Sequence, residues 1–137
     1  MAMIDTLRPA FAALGIELSY EAPFYYRFEY EYLPFGVVVD SDDPGEPVYY
    51  FGAPVPDPLE GGMDEYTFTT ALDVTRTFHP DVNGEWNDGQ PYLESKQYLV
   101  DGKRVPTDVL QEQLEVYKDA YVFLLANICL VEVTRQG

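Results

Sequence analysis

The sequence has 137 residues and a formal charge of −16, which results from 24 acidic and 8 basic side chains. Its hydrophobic content of 47% excludes a disordered chain, and its length predicts a single α+β domain over residues 1–137. Because nucleic acids and membrane surfaces are anionic, the charge argues against direct binding to either of them. The expected partner is instead a basic protein surface.

A short helix is predicted over residues 4–14, followed by a first strand over residues 16–20. Gly15 lies between them and is expected to stop the helix, because glycine readily adopts the left-handed conformation that ends many helices. The helix is indicated by one apolar stripe, which is formed by Leu7, Phe11 and Leu14.

Aromatic and charged side chains alternate through residues 24–32. Successive side chains of a strand point to opposite faces, so this alternation predicts a half-buried strand. Residues 33–62 are rich in proline and glycine, but two short apolar segments, residues 37–39 and 48–51, predict a hairpin with an acidic tip over residues 40–46. The aromatic face of the predicted strand comprises Phe24, Tyr26, Phe28, Tyr30 and Tyr32.

A second alternation, rich in threonine, predicts a long strand over residues 66–78. Residues 79–91 are predicted to form a loop, because the Asn-Gly and Asp-Gly dipeptides at residues 83–84 and 88–89 are typical of turns. Trp86 lies in this predicted loop, where it is either a lid over the core or an exposed contact.

The last third of the chain predicts a hairpin and a long helix. Residues 92–100 and 103–105 flank an Asp-Gly dipeptide at residues 101–102, which is typical of a two-residue turn. A helix is predicted over residues 108–126, and residues 130–133 are interpreted as a closing edge strand. The helix has one apolar stripe, formed by Leu110, Leu114, Tyr117, Tyr121, Leu124 and Ile128.

Together these elements predict an α+β fold with a short N-terminal helix. An antiparallel β-sheet of about five or six strands is expected to be packed by the C-terminal amphipathic helix, since both elements have one apolar side to bury.

Acidic residues are concentrated between Arg27 and Arg76, where eleven acids occur without a lysine or an arginine. A negative face raises the rate of association with a cationic partner, and tyrosines add contact area at interfaces. This stretch is therefore predicted to bind a partner, and the alternative interpretation is a solvated surface without a specific role. The predicted partner-binding residues are Glu29, Glu31, Asp40, Asp42, Asp43, Glu46, Tyr49, Asp57, Glu60, Asp64 and Glu65.

The sequence contains no catalytic motif: phosphate-binding glycine loops, a nucleophile elbow and paired-cysteine spacing are all absent. His79 is the only histidine, and Cys129, the only cysteine, lies in an apolar run that predicts a core position. We therefore expect no enzymatic activity, no metal site and no cofactor. The single cysteine and the absence of a secretion signal predict a cytoplasmic protein.

The leading functional hypothesis is a non-enzymatic inhibitor, of the anti-defence or immunity type, that acts as a nucleic-acid mimic. Its acidic face would occlude the basic surface of a nuclease or of a nucleic-acid-binding defence complex. The alternative is a structural assembly component of a bacteriophage, such as a head–tail or tail subunit, which acts through oligomerisation. The two hypotheses differ in the expected oligomeric state, which light scattering measures.

Overall fold

The structure is a computed structural model that describes residues 4–40, 48–58, 60, 62–98 and 104–136. Its elements in chain order are α1 (Ile4–Ala13), β1 (Ser19–Ala22), β2 (Tyr25–Tyr30), β3 (Leu33–Asp40), β4 (Val48–Pro54), α2 (Glu65–Phe78), β5 (Val82–Asn87), β6 (Gln90–Tyr98) and α3 (Thr107–Gln136). The strands form one antiparallel sheet in the order β1-β2-β3-β4-β6-β5, and α3 packs on it. This architecture confirms the predicted α+β class, the antiparallel sheet and both terminal helices.

The chain forms two compact units. Unit 1 comprises Met1–Gly52 and Lys96–Val116, and it contains α1 and the first three strands. Unit 2 comprises Ala53–Ser95 and Tyr117–Gly137, and it contains α2 and β5. Buried apolar side chains occur in both units, for example Phe28 in unit 1 and Leu124 in unit 2.

The end of α1 follows the prediction for Gly15, which has a φ of 73°. The N–H of Gly15 donates to the carbonyl of Ala12 at 3.0 Å, and the N–H of Ile16 donates to the carbonyl of Phe11 at 2.9 Å. These two bonds form the Schellman motif that closes many helices. Because the cap uses the Ile16 N–H, this residue does not join the sheet, and β1 begins at Ser19 instead of at residue 16.

The hairpin turn between β2 and β3 makes β2 shorter than the strand predicted over residues 24–32. Phe24, Glu31 and Tyr32 have φ values of 67°, 49° and 70°, which lie in the left-handed region. Glu31 and Tyr32 form the two-residue turn, which leaves 96% of the Tyr32 side chain exposed. The turn geometry, and not the aromatic alternation, therefore sets the end of β2.

An aromatic cluster centred on Phe28 forms much of the core of unit 1. The ring centroid of Phe28 lies 5.1 Å from that of Phe11 in α1. Within the sheet, it lies 6.2 Å from Phe35 and 6.4 Å from Phe51. Tilted and edge-on arrangements of this kind are favourable for aromatic pairs, so the predicted aromatic face of β2 buries the residues near its middle.

The predicted hairpin of residues 37–39 and 48–51 is present as the antiparallel pair β3–β4. Gly36 is paired with Gly52, and Val39 is paired with Tyr49. The acidic tip was predicted over residues 40–46; Asp40 ends β3, and residues 41–46 lie outside the described residues.

The strand predicted over residues 66–78 is wrong, because this segment is the helix α2. Asp64 caps the helix by accepting a hydrogen bond from the Thr67 N–H at 2.8 Å. Phe68 and Leu72 are four residues apart, a spacing that fits both a strand and a helix, so the alternation did not distinguish the two. Three threonine hydroxyls donate to the carbonyl four residues earlier: Thr69, Thr75 and Thr77.

The loop predicted over residues 79–91 is also wrong, because it contains β5 and the start of β6. The two strands form a hairpin whose turn is Asp88 and Gly89, with φ values of 49° and 79°. The other turn-like pair, Asn83 and Gly84, lies inside β5. Gly84 is thus not a turn residue but a site of close packing.

A valine at Gly84 is expected to lower the free energy of unfolding by about 1–3 kcal/mol, the usual cost of overpacking. A Cβ atom at this position would lie 2.7 Å from Leu72 Cδ2 and 3.0 Å from Phe68 Cζ, both on α2. Urea denaturation measures the change, with Asn83→Val as the control because Asn83 is exposed on the same strand. Equal stability of Gly84→Val and the wild type would contradict the packing of α2 on β5.

Two buried hydrogen bonds accompany the apolar core of unit 2. The Tyr117 hydroxyl donates to the Leu93 carbonyl at 2.7 Å, and Asn127 Nδ2 donates to Thr75 Oγ1 at 3.1 Å. Both pairs satisfy polar groups that would otherwise be costly to bury. Trp86 is half-buried on β5, and its ring centroid lies 5.9 Å from that of Phe68.

The helix α3 begins near the predicted position but extends beyond residue 126, so the edge strand predicted over residues 130–133 is wrong. Glu132 lies one turn after Ile128, on the same buried face of the helix as the apolar stripe. In the same last turns, Thr134 Oγ1 donates to the Leu130 carbonyl at 2.7 Å. All six side chains of the predicted stripe are buried. No helix in the described part of the chain is long and apolar enough to cross a membrane.

The hairpin predicted around residues 101–102 falls on positions outside the described residues. In the described part of the predicted second strand, residues 104–105 are not in a strand. The Val105 N–H instead donates to the Thr6 carbonyl of α1 at 3.2 Å. This bond joins the segment before α3 to α1 within unit 1.

Candidate functional site

A cleft of about 540 Å³ opens on unit 1 beside the edge strand β1, and we call it the edge cleft. It is formed by the α1–β1 connection, by β1 and β2, and by the beginning of β3. Its glycine and apolar lining consists of Gly15, Ile16, Phe28 and Pro34. Its polar lining consists of Glu17, Ser19, Glu21, Arg27 and Glu29.

Strand pairing brings the polar lining of the edge cleft together. Ser19 of β1 is paired with Arg27 of β2, and Glu29 of β2 is paired with Pro34 of β3. Arg27 and Glu29 are two residues apart in a strand, so their side chains lie on the same face of the sheet. The charged face predicted from the alternation in residues 24–32 therefore forms one wall of the cleft.

The edge cleft is negatively charged, since its ionisable groups are three glutamates and one arginine. Arg27 Nη1 lies 3.6 Å from Glu21 Oε1, and the two side chains are 56% and 43% exposed. Among the described residues, the carboxylates of Glu17 and Glu29 have no hydrogen-bond or ion-pair partner. Two carboxylates are thus available to a ligand, and a third is partly neutralised.

This arrangement is suited to cationic side chains. Carboxylates accept charge-assisted hydrogen bonds from ammonium and guanidinium groups, and Ile16 and Pro34 offer apolar surface to the methylene stem of a lysine or an arginine. An exposed ion pair contributes only about 0.2–1 kcal/mol. A ligand of high affinity therefore needs several such pairs together with main-chain or apolar contacts.

Of the predicted partner-binding residues in unit 1, Glu29 lines the edge cleft. Glu31 is exposed in the turn after β2, where its φ is 49°. Asp40 is the last residue of β3. The side chain of Asp40 and the residues Asp42, Asp43 and Glu46 lie outside the described residues.

Glu17 and Glu21 were not predicted as site residues, because both precede the base-free stretch that begins after Arg27. A signal was present, since a hairpin between the first predicted strand and the aromatic strand would bring Glu21 close to Arg27. The position of β1, however, depended on the cap at Gly15.

Tyr49 was predicted to bind a partner, and this prediction is wrong because its side chain is fully buried. Its hydroxyl donates to Gln113 Oε1 of α3, and burial raises the pKa of Tyr49 to about 12. All four residues at positions 48–51 are apolar or aromatic. The sequence therefore does not indicate which face of β4 is buried and which is exposed to solvent.

Four of the predicted residues lie in unit 2, in α2 or in the segment before it. Asp57 Oδ2 accepts a hydrogen bond from the Met63 N–H at 2.8 Å, and Asp64 caps the helix. Glu60 and Glu65 are exposed. Asp57 and Asp64 therefore have structural roles, which leaves Glu60 and Glu65 as surface charges.

The α2 cap is reinforced by Arg135 from the last turn of α3. Arg135 Nη1 lies 2.9 Å and 3.0 Å from the two carboxylate oxygens of Asp64, and it donates to Thr67 Oγ1 at 2.7 Å. Its guanidinium also lies 4.9 Å from the centroid of the Tyr66 ring. Hydrogen bonds from Thr67, followed by that from Arg135, lower the pKa of Asp64 to about 2.

Asp64→Ala is expected to lower the melting temperature, and Asp64→Asn, which keeps an acceptor at the cap, is expected to lower it less. Because folding lowers the pKa of Asp64, its contribution is present above the unfolded-state pKa of about 3.9 and is lost as the pH falls toward 2. Thermal unfolding as a function of pH measures both effects. A wild-type melting temperature for Asp64→Ala at neutral pH would contradict the role of this cap.

No protein-family model matches the chain, and the comparison with curated proteins found no match. The fold defines its class as an antiparallel α+β protein with α3 packed on the sheet. A solved structure of this class is that of YbjN from E. coli, described as "a putative transcription regulator". The similarity covers 90% of this chain and 89% of YbjN, with a TM-score of 0.55 and 16% sequence identity, and at that identity it shows a shared fold alone.

Proposed function

We propose that this protein is a non-enzymatic acidic binding protein that inhibits a partner by occluding its basic, nucleic-acid-binding surface. The edge cleft supports this proposal most directly. It is an open site whose ionisable lining is three glutamates and one arginine, in a chain with a net charge of −16. The class of partner that fits is a nuclease or a nucleic-acid-binding defence complex, which would make the protein an inhibitor of the anti-defence or immunity type.

The proposed mechanism is competition between the acidic protein and nucleic acid for the same surface. A negative charge of this size accelerates encounter with a cationic surface, and the effect weakens as salt screens the charges. Once bound, the protein places carboxylates against lysines and arginines that otherwise contact phosphates. Inhibition therefore requires no chemical step.

The test is capture of partners from a host lysate by the immobilised protein, followed by competition. Retained proteins are challenged with duplex DNA, with a neutral polymer of similar size, and with about 0.5 M salt, and the eluted proteins are identified by mass spectrometry. We expect DNA and salt, but not the neutral polymer, to release a basic protein. A retained partner that neither DNA nor salt releases would contradict occlusion.

A second candidate, the structural assembly component, is supported by exposed apolar side chains in unit 2. Leu130 and Val133 are 65% and 60% exposed on α3, and Phe78 is 68% exposed at the end of α2. Such side chains suit contacts between subunits when they form a patch. Multi-angle light scattering over a range of concentrations distinguishes the two functions, because a closed oligomer favours assembly and a monomer favours the inhibitor.

A further inference from the structure

We propose that the edge cleft and strand β1 together bind an extended, lysine- or arginine-bearing segment of the partner, which adds to the sheet as a strand beside β1. This inference rests on the proposed function and specifies the part of the partner that is recognised. It requires an unpaired sheet edge, a cleft next to that edge, and a charge pattern that selects a cationic segment. Each of these is present in unit 1.

The sheet edge is provided by β1, which has a strand neighbour only on the side of β2 in the described part of the chain. All four residues of β1 are exposed. The strand addition seen in many peptide complexes uses such an edge, because its free N–H and C=O groups bond to an extended peptide. The register shift between Tyr20 and Ala22 marks a bulge at Glu21, which limits the regular part of this edge to a short segment.

The edge cleft is continuous with this edge, because β1 itself contributes Ser19 and Glu21 to the lining. Tyr20, between them, points to the other face and contacts the Tyr26 ring at 5.7 Å between centroids. A peptide strand beside β1 would also alternate its side chains between the two faces. Every second side chain of that peptide therefore reaches the side of the cleft.

The charge of the cleft selects a cationic segment over an anionic one. Glu17 and Glu29 are free to pair with lysine or arginine side chains. The Glu21–Arg27 ion pair is long, at 3.6 Å, and exposed, so a ligand cation can replace Arg27 as the partner of Glu21. Pairing of β1 with β1 of a second copy would bring like-charged glutamates together. The same pattern thus favours a basic partner strand and disfavours self-association along this edge.

The experiment uses the full chain and a fluorescently labelled, end-blocked peptide of about eight residues that alternates lysine and valine, long enough to cover a short strand. The comparison peptide alternates glutamate and valine. Two further lysine–valine peptides are N-methylated on alternate residues, one peptide on its lysines and the other on its valines. Each pattern blocks the main-chain N–H groups along one edge of the extended peptide and leaves its charge unchanged. Fluorescence anisotropy at about 0.15 M salt gives each dissociation constant.

We expect the lysine–valine peptide to bind and the glutamate–valine peptide not to bind. N-methylation of one edge is expected to weaken binding about tenfold or more, while methylation of the other edge leaves it unchanged, because only one edge of an added strand contacts β1. Peptide binding should also slow amide hydrogen exchange at Ser19–Ala22. Equal binding of both methylated peptides and the parent peptide would overturn strand addition.

The matched variants are Glu17→Gln with Glu29→Gln in the cleft, and Asp73→Asn with Asp81→Asn in unit 2. Both pairs remove two exposed charges, but only the first is expected to weaken binding, by about three- to thirtyfold. Equal weakening by the two pairs would mean that the peptide responds only to net charge, which overturns the cleft as the site. Protection of Ser19–Ala22 in the free protein together with a dimeric mass would assign the edge to a second copy and overturn the proposal as well.

The outcomes separate this inference from the proposed function. If the lysine–valine peptide does not bind while a basic, DNA-displaceable partner is captured from lysate, strand addition is wrong and occlusion stands. If neither the peptide nor a DNA-displaceable partner is bound, both are wrong.

Discussion

Leu124→Ala is expected to lower the free energy of unfolding by about 2–5 kcal/mol, the usual cost of removing a fully buried leucine side chain. Leu124 lies in the middle of the apolar stripe of α3, in the core of unit 2. The substitution removes apolar contacts and leaves a cavity that the close-packed surroundings fill only in part. Equilibrium urea denaturation, monitored by circular dichroism, gives the change.

The matched control is Leu130→Ala, which is the same substitution on the same helix at a side chain that is 65% exposed. It is expected to change the free energy of unfolding by less than about 0.5 kcal/mol. The pair also tests the extension of α3, since residues 130–133 would pair as an edge strand under the sequence prediction. A large effect at Leu130 with a small one at Leu124 would contradict the observed face of the helix.

The second large effect is expected at Glu132, a carboxylate that is only 7% exposed in α3. Neither of its carboxylate oxygens has a hydrogen-bond partner among the described residues. Burial raises the pKa of Glu132, and the nearby carboxylates of Asp57 and Asp64 raise it further. A charge that is buried beside two other carboxylates is unfavourable, so the ionised form of Glu132 is expected to lower the stability of unit 2.

The raised pKa of Glu132 fixes the sign of its pH dependence. The folded state holds the proton to a higher pH than the unfolded state does, so the contribution of Glu132 to stability is fully present below the unfolded-state pKa of about 4.3 and is lost as the pH rises through the folded-state value. This direction is opposite to that of Asp64, whose stabilising contribution is lost as the pH falls.

Glu132→Gln is expected to increase the free energy of unfolding at neutral pH by about 1 kcal/mol or more, because it removes the buried charge. It should also flatten the decrease in stability that follows as the pH rises above the unfolded-state pKa of about 4.3. Glu112→Gln is the control, since it makes the same change at an exposed position of α3. An unchanged pH dependence in Glu132→Gln would contradict the assignment of the titrating group.

Some of the acidic residues stabilise the fold, whereas others are available for binding. Asp57 and Asp64 hold the segment before α2 and its cap, so their substitution affects stability as well as charge. Glu17 and Glu29 are exposed and make no contacts that the fold requires among the described residues. Binding experiments are therefore most informative at the edge cleft, where loss of affinity is separable from loss of stability.

Several features of the fold follow from the sequence alone because they depend on local chemistry. Gly15 ends α1 because it adopts a left-handed φ without steric cost, and a glycine after an apolar stripe indicates this directly. The stripe of α3 through Leu124 and Ile128 is buried as its spacing predicts. The alternation around Phe28 likewise indicates a strand with one buried face, since the period of two is a property of the strand itself.

The tertiary structure decided the rest, because those features depend on what each segment packs against. Phe68 and Leu72 fit a strand and a helix equally well, and the cap at Asp64 with packing against Gly84 of β5 makes the segment helical. Tyr49 is buried, and its hydroxyl donates to Gln113 of α3, a contact that the apolar run over residues 48–51 does not indicate. The edge cleft could not be predicted from the sequence, because it also depends on tertiary packing. Its carboxylates precede and follow Arg27 in the chain, and the pairing of β1 with β2 brings them into one site.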